Sequence, residues 1–248
     1  MNSDGIDLVF QTLPLSAELD CSYFPERSSI LRYCFAEPSF NSFVVEQFLE
    51  RGYRRSGDLF YKTECKKCRM CIPYRIPLDT FRPNSSQKRN LKFNAELRFS
   101  IGSPQPSNLK QSLYLKYIKS RHENLDKKES DESHLETMDS QMYEYINHSL
   151  EIEIYDESKL IGFGIIDIGK ETISSVYNVF DPDYKKNGLG VFMILKTIEW
   201  AKNISSFKYI QLGLFIPEHP KMDYKKNFKP GEILHPLSEK WEDVQFIL

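Results

Sequence analysis

The chain has 248 residues, 40% of them hydrophobic and 27% charged, with 33 Lys or Arg against 35 Asp or Glu. That composition is ordinary for a folded protein and excludes global disorder, a collagen-like chain and a disulfide-dense mini-protein. No apolar run approaches the ~20 residues that span a bilayer, and the start, MNSDGIDLVFQT, lacks the basic and apolar regions of a secretory signal. A cytoplasmic protein that does not engage membranes is expected.

In chain order, apolar residues at Phe43, Val44, Phe48 and Leu49 predict a helix over about 39–51, closed by Gly52. Ser56-Gly57-Asp58 reads as a turn, and residues 59–62 and 74–77 as short strands. Residues 81–86 read as a loop leading into a basic stretch, and residues 102–107 as a linker. A helix follows over about 108–121, with Leu109, Leu113, Tyr117 and Ile118 on one face. Residues 124–137, polar and highly charged, are expected to form a loop; Met142, Tyr145 and Ile146 suggest a short helix. Beyond it the pattern changes to strands at 151–156, 159–168 and 172–180, a Gly-rich turn, a helix over about 189–203 and a strand at 209–216. The fold class expected is α+β, with a smaller cysteine-containing N-terminal domain over 1–103 and a mixed sheet with helices over 104–248.

Charge is segregated along the chain. Residues 51–98 hold 13 basic and 4 acidic side chains, a local net of +9, whereas residues 123–157 hold 12 acids and 2 lysines, a net of −10. One face that attracts phosphate and another that repels it would account for this, as would two solvated faces.

Cysteines and glycines carry the motifs. Five cysteines without a signal peptide argue against a disulfide framework. Cys65, Cys68 and Cys71 form C-x2-C-x2-C, a spacing that lets three thiolates converge on zinc or an iron–sulfur cluster, with Cys21 as the natural fourth. Four reduced structural thiols are the alternative. Cys34, between Tyr33 and Phe35, reads as a small hydrophobe. Lys185-Lys186-Asn187-Gly188-Leu189-Gly190 joins a strand to a helix, where glycines admit an anion to the helix N-terminus. Its spacing fits neither a Walker loop nor a dinucleotide fingerprint. It resembles the pyrophosphate loop of Gcn5-related N-acetyltransferases; a plain strand-to-helix turn is the competing reading.

Taken in order, several segments resemble the arginyl-tRNA–protein transferase family, and most closely its bacterial aspartate/glutamate leucyltransferase branch. They are Cys21-Ser22-Tyr23-Phe24-Pro25, residues 52–61 (GYRRSGDLFY), the cysteine motif with Ile72-Pro73-Tyr74-Arg75-Ile76-Pro77, residues 81–89 (FRPNSSQKR), residues 114–122, residues 174–182 (SSVYNVFDP), and Lys221-Met222-Asp223-Tyr224-Lys225 with Phe228-Lys229-Pro230. The sequence departs from the family at Asn178, where an aromatic residue is usual, at Leu214-Phe215, and at Lys186-Asn187-Gly188. The resemblance implies an acyltransferase-like C-terminal domain. It also implies transfer of an amino acid, leucine being expected, from aminoacyl-tRNA to the α-amine of proteins that begin with Asp or Glu. Such products enter an N-degron pathway. Arginyl transfer, coenzyme-A-dependent N-acylation and a non-enzymatic RNA-binding module are the alternatives.

That chemistry requires no cofactor. It needs a proton acceptor, an oxyanion donor, a cation for the acceptor's side-chain acid and a basic track for RNA. Asp181 and Tyr177, at or near the end of the strand that feeds the Gly-rich turn, are the catalytic candidates. Asp181 is otherwise an Asp-Pro turn or N-cap, and Tyr177 strand packing. Arg54, Arg55 and Arg75, with Tyr224 and Lys225, are the candidates for binding the acceptor. Arg82, Lys88, Arg89, Lys92, Lys185 and Lys186, with Gly188 and Gly190, are the candidates for tRNA.

Overall fold

A computed structural model describes residues 3–121, 130–145 and 147–244. The elements run α1 (Ser3–Thr12), β1 (Leu19–Asp20), β2 (Ser28–Ser29), β3 (Leu31–Phe35), α2 (Ser42–Glu50), β4 (Arg54–Ser56), β5 (Leu59–Thr63), β6 (Ile72–Pro77), α3 (Ser85–Phe93), β7 (Arg98–Gly102), α4 (Asn108–Arg121), α5 (Asp131–Tyr143), β8 (Ser149–Asp156), β9 (Lys159–Ile168), β10 (Thr172–Phe180), α6 (Leu189–Lys202), β11 (Tyr209–Phe215), β12 (Glu232–Leu234) and β13 (Trp241–Asp243).

Eight strands form the central sheet, in the order β13-β12-β6-β11-β10-β9-β8-β7. Only β10 and β11 pair in parallel; the other neighbours are antiparallel. β9 is buried from Leu160 to Asp167, as a strand covered on both faces must be. Leu189, Met193, Ile194 and Ile198 of α6 pack with Ile154, Ile166 and Ile173 on one face. Leu113, Tyr117, Met138 and Met142 of α4 and α5 pack with Phe163, Ile165 and Val179 on the other. The N-terminal region adds a small sheet, β3-β5-β4, whose Phe60 stacks on Phe48 of α2 at 4.6 Å between ring centroids.

The cores follow the predicted periodicities. A cut at 103 would divide the central sheet, because β6 and β7 lie in it. β6 pairs with β11 over Ile72–Pro77 and Tyr209–Phe215, so the basic N-terminal segment reaches the middle of the sheet. The stretch after residue 84 is a helix rather than only a basic run: Asn84 and Gln87 form a reciprocal capping box at the start of α3. Residues 131–137 belong to α5, started by Ser130, whose hydroxyl accepts from the Ser133 N–H at 3.1 Å. The remainder of the expected charged loop, at 124–129, and Ile146 lie outside the described residues.

Candidate active site

β10 and β11 stay paired only from Thr172–Ser174 to Tyr209–Gln211 and then part. A bulge at Val176 in β10 and a register shift at Leu212 in β11 mark the divergence. Parallel strands that separate leave backbone groups between them without ladder partners. Gly213 stands just past the shift with φ +75°, a left-handed conformation suited to glycine. A Cβ there would lie 2.7 Å from Arg54 Nε and 2.9 Å from its Cζ. The guanidinium of Arg54 therefore rests directly on the backbone of β11.

Arg54 faces the hydroxyl groups of Tyr23, Tyr61 and Tyr224. Among the described residues it has phenols for neighbours and no carboxylate partner. It lines a cavity of about 140 Å³ with Tyr61, Cys71, Leu214 and His235, and the Lys62–Glu239 ion pair (2.7 Å) lies on the same wall. Lys225, on the 3-10 turn at Asp223–Asn227, is within electrostatic reach of Arg54. Tyr224, 39% exposed, is within electrostatic reach of Arg54, Tyr117 and Arg121, linking this cavity to the α4 side of β10.

The two other candidate arginines are committed elsewhere. Arg55 is buried and makes a bidentate pair with Asp167 (Nε to Oδ2 2.8 Å, Nη2 to Oδ1 2.8 Å), while also donating to Gly57 O (2.6 Å) and Ser149 Oγ (3.2 Å). Arg75 is held by Glu50 at 2.9 Å and Glu232 at 2.7 Å, between the rings of Tyr209 and Trp241. Both charges are already neutralised within ion pairs of the chain itself.

Asp181 takes the turn role. It caps the 3-10 turn Pro182–Asn187, accepting from the Asp183 N–H at 3.0 Å. Its buried carboxylate is clamped by Lys116 (2.5 Å) and Lys159 (2.9 Å). Burial alone would raise its pKa; the two lysines and the backbone N–H outweigh burial and hold it below the usual carboxylate range. A carboxylate so paired is a poor proton acceptor. Tyr177 lies just past the bulge, 6.4 Å from Tyr114 between centroids. Burial raises its hydroxyl pKa, so at neutral pH it stays protonated and is available as a hydrogen-bond donor.

Among the RNA candidates, α3 exposes Lys88, Arg89 and Lys92, and the Gly-rich turn exposes Lys185, Lys186 and Gly188. A lock of three asparagines holds the two together: Asn90 and Asn94 Nδ2 donate to Asn187 O at 2.7 and 2.8 Å, and Asn187 Nδ2 donates to Asn94 Oδ1 at 2.8 Å. Gly188 is left-handed and no side chain caps α6; a Cβ at Gly190 would come within 3.3 Å of the Phe180 ring. Arg82 is exposed but folds back on the carbonyls of Asp79 and Phe81, at 2.7 and 2.8 Å.

Cys21, Cys65 and Cys68 lie near Cys71. Burial, then these three thiols, push the Cys71 thiol up to about 12. Four thiols are a donor set suited to zinc or iron. Among the described residues no three His, Cys, Asp or Glu side chains already stand at metal-binding spacing. Cys34 is half-buried in β3, apart from this group. Tyr23, which follows Cys21, meets Arg54, and its ring packs edge-on against His219 at 5.6 Å. Sequence reasoning does not single out Tyr23, Tyr61 or Gly213 as site residues. Only the left-handed tendency of a strand glycine points to Gly213.

Residues 19–89 match the family model "Arginine-tRNA-protein transferase, N terminus", and residues 109–235 match the corresponding C-terminus model. An aspartate/glutamate leucyltransferase of Leptospira interrogans is 42% identical over 229 residues, covering 92% of this chain and 89% of that protein. One from Saccharophagus degradans is 35% identical over 221 residues, covering 89% and 92%. In fold, the chain is similar to the C-terminal domain of a putative lysylphosphatidylglycerol synthetase from Agrobacterium fabrum, with a TM-score of 0.50 at 14% identity, covering 85% of this chain and 65% of that one.

Proposed function

Because the chain belongs to the arginine-tRNA-protein transferase family, we propose that it moves leucine from leucyl-tRNA to the α-amine of proteins beginning with Asp or Glu. One observation carries this reading: Arg54, a partly buried guanidinium on the parting strands with no carboxylate partner among the described residues. A guanidinium is charged at any working pH and takes a carboxylate bidentately. The acceptor's side-chain acid supplies what the fold withholds.

The donor ester then lies where β10 and β11 part, and its RNA follows the basic track of α3 and the Gly-rich turn. Phosphate contacts there position the tRNA without reading its sequence. An ester is already activated, and an α-amine has a pKa of ~7.7–8.0, so holding the two together supplies much of the rate. The amine nitrogen bonds to the carbonyl carbon, the ester C–O bond breaks and the ribose oxygen takes a proton. No covalent enzyme intermediate and no cofactor enter these steps. The Tyr177 hydroxyl is the candidate donor to the oxyanion. The product carries an N-terminal leucine and so joins an N-degron pathway, in the cytoplasm where charged tRNA is available.

Cys21, Cys65, Cys68 and Cys71 are proposed to hold structural zinc or an iron–sulfur cluster that clips the Tyr23 segment over Arg54. Metal analysis of the purified protein, with Cys68→Ser as control, tests this: full activity and unchanged stability without metal would remove the clip. The function itself is tested by offering leucyl- and arginyl-tRNA with peptides beginning with Asp, Glu, Lys or Ala. Leucine on Asp and Glu alone is expected. Arginine transfer would change the donor. Tight acetyl-coenzyme-A binding with acetylation would replace the reaction, and tRNA binding without any transfer would leave an RNA-binding module.

A further inference from the structure

An acceptor arriving as an α-ammonium must lose two protons, one before attack and one to the ribose oxygen as the ester opens. Asp181 is clamped by lysines and Tyr177 is protonated, so the first proton needs another destination. We propose that Lys225 takes it, from the α-ammonium of the acceptor whose side-chain acid pairs with Arg54. This inference rests on the function proposed above and adds the identity of the base.

Lys225 is 3% exposed. Its Nζ donates to Leu214 O at 2.6 Å and toward Met222 Sδ at 3.5 Å. Leu214 follows Gly213, the residue on which Arg54 rests, so Arg54 and Lys225 flank one peptide of β11. The charged and titratable groups facing Lys225 are Arg54 from β4 and Tyr224 from its own turn, with Nζ 5.1 Å from the Tyr224 ring. Among the described residues no carboxylate pairs with it; the neighbouring Asp223 is taken by Lys226. A neutral amine has two N–H groups and one lone pair, and both donors are already engaged. Burial first, then the Arg54 charge, push its pKa down to about 7.

The acceptor sets this base. A carboxylate on Arg54 cancels part of the positive field at Lys225 and raises its proton affinity. By linkage, the acceptor binds more tightly when Lys225 is protonated. The α-ammonium N–H breaks and an Nζ–H forms. The freed amine attacks, its second proton goes to the ribose oxygen, and Lys225 returns its proton to water.

Lysine ¹³Cε NMR titration of the full chain tests this without any transfer. One lysine should titrate near pH 7, be missing in Lys225→Gln, and move to higher pH on adding an Asp-initiated peptide. In transfer assays Lys225→Arg keeps the charge but cannot accept the proton. Its kcat/KM for the peptide should fall about tenfold at pH 7 and recover as pH passes the α-amine's own pKa, ~8. A purely structural role would lower activity equally at all pH values. An unchanged pH profile in Lys225→Arg, or no lysine titrating below pH 9, overturns the proposal. Should the wild type transfer nothing, the proposed function fails while the titration still decides Lys225; a titration unmoved by the peptide also counts against it.

Discussion

Arg54 and Arg55 are adjacent in sequence and have opposite fates, so substituting each by Gln separates binding from stability. Arg55 is one half of a buried bidentate pair with Asp167 and also serves Ser149 and Gly57. Removing one partner of a buried pair costs about 3–5 kcal/mol, because the other charge is left uncompensated. At about 2–4 °C per kcal/mol for a chain of this size, Arg55→Gln should melt roughly 6–20 °C early. Arg54 has no carboxylate partner among the described residues, so Arg54→Gln should melt within ~2 °C of wild type. Its loss should appear in the acceptor instead. Truncating a charge-assisted contact at about 2–4 kcal/mol lowers kcat/KM for an Asp-initiated peptide about 30- to 1000-fold, mostly through KM. KM for leucyl-tRNA should hold. Differential scanning fluorimetry and peptide-dependent transfer rates read both. Arg54→Gln that transfers normally, or that melts as early as Arg55→Gln, refutes the assignment.

Asp181→Asn should retain transfer but lose stability at neutral pH. Because its folded pKa is depressed, the contribution of Asp181 is present above the unfolded value, ~3.9, and is lost as pH falls through the folded one; the melting deficit of the variant should therefore shrink toward pH 3. Gly213→Ala should displace the Arg54 guanidinium and raise KM for the peptide without changing KM for leucyl-tRNA, as measured by steady-state transfer. Neutralising Lys88, Arg89, Lys92, Lys185 and Lys186 together should weaken tRNA binding and flatten its salt dependence, by about 0.7–0.9 in log–log slope for each phosphate that the variant no longer neutralises; filter binding across a salt series measures it.

Local structure is legible where periodicity is strong. The helices near Ser42–Glu50, Asn108–Arg121 and Leu189–Lys202, and the strands from Glu151 to Phe215, follow from apolar spacing and turn residues. What the sequence hides is long-range pairing. Nothing local to Arg55 or Arg75 announces Asp167, 112 residues away, or Glu232, 157 residues away. Strand alternation does say that Arg54 and Arg55 face opposite sides of β4. Which side meets the core depends on how the small sheet docks, and that is a tertiary fact. β6 reads as a strand from its own residues, yet its central place in the sheet needs β11 and β12, both more than 130 residues later. The Asp-Pro step at 181–182 shows the reverse case: the local turn reading of Asp181 is met directly by its cap on the Asp183 N–H, whereas its pairing with Lys116 and Lys159 is long-range.

The most direct measurement is a crystal structure of the protein with an Asp-initiated peptide and a non-hydrolysable leucyl-adenosine analogue. The peptide's side-chain carboxylate should hydrogen-bond to the Arg54 guanidinium, with the α-nitrogen within about 3–3.5 Å of the leucyl carbonyl carbon, between the parted ends of β10 and β11. A carboxylate seated on Arg121 or on the basic face of α3, with Arg54 still facing only phenols, would contradict the account.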